Sequence, residues 1–84
     1  MERLANAIRI AAKLREESFD HKLANDEENN QLFDFNKCYK LTLREACDKA
    51  AEGCGFTNKE AFPIYLLLMS NWNESLDWAN TIES

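Results

Sequence analysis

Residues Ala61–Met69 read Ala-Phe-Pro-Ile-Tyr-Leu-Leu-Leu-Met, nine positions without one charge. In a helix the six residues Ile64–Met69 point in every direction, so no single face is left to water. A chain of 84 residues has little protein with which to surround such a helix. Some of this surface is therefore expected to meet a second chain, either a copy of itself or another protein.

The flanks of this run set its boundaries. Thr57-Asn-Lys-Glu60 has the spacing of a capping box, in which the Glu carboxylate reaches back to the Thr N–H. Pro63 then falls at the sixth helical position, where it removes one hydrogen bond and crowds the preceding turn. The expectation is a short turn over 58–62, a kink or restart at Pro63, and one long helix over 63–82. Ile64, Leu68, Trp72, Leu76 and Ala79 keep helical spacing along it, and Asn71–Asn73 is the place for a break.

Upstream, Thr42-Leu-Arg-Glu45 is a second capping box. The helix it opens passes through Ala46, Cys47, Ala50 and Ala51 and stops near Gly53 or Gly55, either of which can take the left-handed closing conformation. Residues 2–18 read as an amphipathic helix with the small-sided stripe Leu4, Ala7, Ile8, Ala11, Leu14 and Ser18, and it can extend to Leu23. A polar acidic loop follows over about 24–31. Leu32–Tyr39 reads as either a short helix or an extended segment, with Phe33, Phe35 and Tyr39 as packing anchors. Only two Gly and one Pro argue against an all-β fold. The predicted architecture is a single all-α domain over 1–84, a small bundle of three to four helices with a long apolar C-terminal helix at its centre.

Charge excludes some functions. The net charge is −5, and residues 63–84 carry Glu74, Asp77 and Glu83 with no base. A nucleic-acid binder presents a basic face to phosphates, and an anionic membrane surface asks for the same sign. The turn around Gly55 and Thr57 does imitate a helix-turn-helix. However, the helix in the recognition position is apolar, holds Pro63 and lacks Arg, where base reading needs exposed polar side chains. Fifteen acids offset by ten bases also make only a modest mimic of nucleic acid. The longest apolar run is about half the roughly 20 residues of a membrane span. The N-terminal residues lack the layout of a signal peptide. With three cysteines, an odd number, a cytoplasmic protein with reduced thiols is expected.

Catalytic chemistry finds no support in the motifs. His21 stands alone beside Asp20 and reads as a surface histidine. Cys38, Cys47 and Cys54 lack the paired spacing of zinc ligands; Cys47 reads as a small buried hydrophobe and Cys54 as the more exposed thiol. Asp26-Glu27-Glu28 lacks the alternating ligands of a calcium loop. Asn73-Glu74-Ser75 matches a glycosylation sequon but reads as chance or a helix-start device. No phosphate loop or nucleophile elbow is present, so no enzyme, cofactor or metal is expected.

The function expected instead is non-enzymatic protein–protein interaction and regulation, with self-association through the C-terminal helix. Its interface residues are Tyr65, Leu66, Met69, Trp72 and Trp78, since Trp and Tyr bury large area at low entropic cost. Trp72 shares the stripe of Leu68 and Leu76 and also reads as core; Trp78 can equally close the local core. A small-ligand-sequestering oligomer with pockets near Tyr65, Asn71 and Trp78 is the alternative, and a helix-turn-helix-like DNA regulator the next. In size, acidity, absence of motifs and Asn-rich texture (Asn25, Asn29, Asn30, Asn71, Asn73), the chain resembles the small accessory proteins of tailed phages. That resemblance is one of general character. It implies an inhibitor or modulator of a host, phage or defence protein, acting in the host cytoplasm.

Overall fold

Nine of the fourteen buried core residues are alanines, and Ala5, Ala7, Ala11, Ala50, Ala51, Ala61 and Ala79 share one cluster. Such short side chains let helix backbones approach closely. The large side chains that fill the centre are Ile8, Ile64 and Leu68. The computed structural model describes residues 2–82, which leaves Glu83 outside. Its helices are α1 (Glu2–Glu17), α2 (His21–Asp26), α3 (Leu43–Gly53), α4 (Asn58–Ser70) and α5 (Trp72–Thr81), with a 3-10 turn at Phe35–Cys38. The all-α prediction holds among the described residues.

Helices α1, α3, α4 and α5 form the bundle, and α1 and α4 each pack on the other three. The centre is therefore shared by α1 and α4. Helix α2 packs only on the 3-10 turn, so this pair stands off the bundle. The radius of gyration reflects it, 13.8 Å against about 12 Å for a compact domain of this length.

Three predicted boundaries change. Helix α1 stops at Glu17 and does not continue to Leu23. Phe19 pairs with Tyr39 in an isolated antiparallel bridge. The Asp20 carboxylate then accepts the Leu23 N–H and starts α2. Helix α2 takes residues through Asp26 out of the expected polar loop.

The second change is that α4 runs unbroken through Pro63 from residue 58. The missing N–H deprives only the Lys59 carbonyl, on an exposed residue where water can serve it. Burial of Ala61, Ile64 and Leu68 on one side of α4 supports the continuous helix.

The third is that the C-terminal helix is not continuous over 63–82 but divides at Asn71, within the stretch expected to host a break. Its side-chain oxygen accepts the Glu74 N–H at 3.1 Å, and its amide donates to the Glu74 carboxylate at 3.0 Å. Asn71 thus starts α5, the helix-start reading of this stretch. Ser75 Oγ donates to the Leu67 carbonyl at 2.9 Å and serves the end of α4 from the next helix.

Other local signals act as their residue types require. Thr42 Oγ1 accepts the Glu45 N–H, and Glu45 accepts the Thr42 N–H, both at 3.1 Å. At α4 the Glu60 carboxylate accepts from both the N–H and the hydroxyl of Thr57. Gly55 (φ 80°) closes α3: its own N–H reaches the Glu52 carbonyl and the Phe56 N–H reaches Ala51. Phe33 and Phe35 meet edge to face at 5.2 Å, and Leu32 beside them is 96% exposed.

Candidate protein interface and adjoining cleft

Helix α4 buries Ala61, Ile64 and Leu68 and turns Phe62, Pro63, Leu66, Leu67 and Met69 outward. Phe62 (38% exposed), Leu66 (41%) and Met69 (54%) recur at steps of four and three, so they form one stripe along the helix. Leu67 is exposed beside them, as is Pro63. A contiguous apolar strip of this kind on a small domain marks an interaction surface.

Charged side chains flank the strip. Lys59, exposed, continues the same stripe at its N-terminal end. Arg44 of α3 lies over Phe62 (5.1 Å to the ring centre) and Tyr65 (5.6 Å), with Nε 3.5 Å from Asp48. At the opposite end Leu67 shares a groove of about 190 Å³ with Glu74, Ser75, Trp78 and Ile8. Toward its N-terminal end the strip is thus flanked by Lys59 and by Arg44 with its partner Asp48, and toward its C-terminal end by Glu74.

The five predicted interface residues do not converge. Leu66 and Met69 lie on the outward strip. Tyr65 is half-buried at its edge, beneath Arg44. Trp72 and Trp78 are half-buried against the alanine core, and each opens onto a different hollow. Trp72 shares its hollow with Met69 and Trp78 shares its own with Leu67, so the tryptophans adjoin the strip without lying on it. Phe62 and Leu67 belong to the strip and were missed. The four-residue step from Phe62 to Leu66 was the available signal.

The larger hollow lies elsewhere, where five segments meet. It is an open cleft of about 520 Å³. It is lined by Arg15 of α1, Asn36 of the 3-10 turn, Tyr39, Leu43 of α3, Leu68 and Met69 of α4 and Trp72 of α5. Arg15 is half-buried with its guanidinium 3.8 Å above the Tyr39 ring, and its Nη1 donates to the Leu41 carbonyl. Tyr39 is backed by Phe19 at 4.9 Å. Sequence reasoning did not find this site, because its walls come from segments that only folding brings together.

The remaining reactive residues are separate from it. Cys38 and Cys47 are buried free thiols and Cys54 is half-buried. Burial pushes the Cys47 thiol up to about 11, with Asp48 adding to the effect. Burial, then Asp20, Glu27 and Asp34, raises the Cys38 thiol. His21 is exposed and meets the Phe19 ring edge at 4.9 Å. Among the described residues no group of metal-ligating side chains converges. No helix there is long and apolar enough to cross a membrane. Comparison with protein-family models, with curated proteins and with solved structures matched nothing.

Proposed function

We propose that this chain is a non-enzymatic regulatory protein that pairs with a second copy of itself through the outward face of α4. The observation that carries the reading is the stripe Phe62, Leu66 and Met69, exposed along a helix whose other side is already packed. A second copy suits the charges at the two ends of the strip. In an antiparallel two-fold pairing, Lys59 and Arg44 of each copy face Glu74 of the other. The alanine-rich core also leaves stability for association to add.

Covering this strip removes its apolar area from water at about 25 cal/mol per Å² before the costs of association. The patch is one helix face wide, which fits a reversible pair rather than an obligate one. The likeness to small phage proteins extends the role of the pair to inhibiting or modulating another protein. The DNA-regulator reading fits less well, because the exposed side of α4, its recognition helix, is apolar.

Sedimentation velocity from low micromolar to submillimolar concentration tests the pairing. The expected result is a monomer–dimer equilibrium that Leu66→Asp abolishes while leaving helical circular dichroism unchanged. Lys59→Glu is expected to weaken the dimer, most strongly at low salt. A monomer at every concentration, or a dimer indifferent to Leu66→Asp, overturns the reading.

A further inference from the structure

Arg15 is a half-buried guanidinium in a protein of net charge −5, yet it has no ion-pair partner among the described residues. The ion pairs found there are Lys13 with Glu17 and Arg44 with Asp48. The other arginines of α1 are occupied. Arg3 donates from Nε and Nη2 to the carbonyls of Cys54 and Gly55, and Arg9 donates to Ala79, Ile82 and Asn6. Arg15 differs from both. Its Nη1 is used on the Leu41 carbonyl, whereas its Nε–Nη2 edge has no acceptor among the described residues. That edge is the one that grips a carboxylate or phosphate through two parallel hydrogen bonds.

The guanidinium is also held in place. Stacking on Tyr39, itself backed by Phe19, and the bond to Leu41 limit its rotation, so little freedom is lost when an anion arrives. Of the residues lining the cleft one is a cation, one an amide (Asn36) and none an acid, and the others include Leu43, Met69 and Trp72. A volume of about 520 Å³ is enough for a small organic molecule. A phosphate dianion generally gathers several charged or backbone donors. A carboxylate is satisfied by one side-on guanidinium.

We propose that the Arg15 cleft is a binding site for a planar aromatic carboxylate, with the carboxylate on the Arg15 Nε–Nη2 edge and the ring against Leu43 and Trp72. The same chemistry is offered by a free aromatic acid and by the C-terminal residue of a peptide ending in an aromatic. The site borders the face of α4 proposed for pairing. Met69 belongs to both surfaces, so the test avoids it.

Isothermal titration calorimetry with indole-3-acetate and with a short peptide ending in Trp tests the proposal and separates the two sources. Saturable one-to-one binding of at least one is expected, with indole-3-acetamide and the C-terminally amidated peptide at least tenfold weaker. Arg15→Lys keeps the charge but loses the two-pronged edge, and is expected to bind at least tenfold more weakly. Asn36→Ala, at an exposed position, serves as a second variant with intact folding and is expected to weaken binding. Absence of saturation by either acid overturns the proposal. So does equal binding of the neutral analogues, unchanged binding by Arg15→Lys at native melting temperature, or tighter binding of adenosine monophosphate than of either carboxylate.

Discussion

Arg9, midway along α1, donates to the carbonyl of Ala79, 70 residues away in the last turn of α5. It reaches the Ile82 carbonyl as well, at 3.1 Å, and so provides donors to a helix end that lacks them. Arg3 does the same where α3 closes, and Arg15 holds the chain just before α3 begins. These arginines are six residues apart, and a six-residue step turns a helix by about 240°. They therefore leave α1 on three sides, toward three different segments.

Removing this link should cost more than a surface substitution does. Arg9→Ala is expected to lower stability by about 2 kcal/mol, the scale of a charged hydrogen bond together with the carbonyls left behind. Urea unfolding checks it. The loss should appear in the midpoint with an unchanged slope, and Arg9→Lys should recover part of it.

The two glycines are expected to respond in opposite directions. Gly55 holds a left-handed backbone (φ 80°), and an added Cβ would sit 3.5 Å from Arg3 Nη2. Gly55→Ala should therefore cost about 1–2 kcal/mol. Gly53 is helical with open space around it, so Gly53→Ala should be neutral or stabilising by about 0.5 kcal/mol. Thermal melts of the two variants should bracket the parent protein.

Acid should weaken the helix starts. The backbone and hydroxyl hydrogen bonds of Thr42 hold Glu45 below the usual carboxylate range, and those of Thr57 do the same for Glu60. A folded value below the unfolded one means that the unfolded chain takes up the proton more readily. The contribution is thus present above the unfolded value of about 4.3 and is lost as pH falls through the lower folded values. Stability measured from neutral pH downward should decline there, and Glu45→Gln with Glu60→Gln should flatten that part of the profile.

The three thiols should separate by rate. Cys47, pushed up to about 11, and Cys38, raised by burial and by neighbouring carboxylates, are buried and almost fully protonated at neutral pH. Cys54, half-buried in the turn after α3, should react first with a thiol reagent. One fast equivalent in native protein, removed by Cys54→Ser, and two more after denaturation is the expected pattern.

What could be read from the chain was local in origin. The Thr42–Glu45 box, the closing glycine at 55 and the crowded apolar run at 64–69 each depend on residues within one or two turns. The break after Glu17 could not be read in this way, because it follows from Phe19 meeting Tyr39 across twenty residues of loop and short helix. Pro63 misled for a related reason. Its local penalty is real, but Ile64 and Leu68 bury against other helices and hold α4 straight through it. In the strip, Leu66 and Met69 were legible from the excess of apolar residues, while the two tryptophans were turned inward by the Asn71 start of α5. Arg15 appeared in the sequence only as one charge on an amphipathic helix. Its role depends on Tyr39 and Leu41, which folding brings beside it.

The alanine centre of this bundle has a thermal consequence. Helices that meet on methyl groups expose little apolar surface per residue when they separate, and the heat-capacity change of unfolding follows that surface. The increment should lie below the roughly 12–15 cal/mol/K per residue usual for globular domains. The stability curve is then less sharply bent, and cold unfolding is pushed far below freezing. A protein built in this way trades a high peak of stability for a nearly level one across the temperatures at which cells grow.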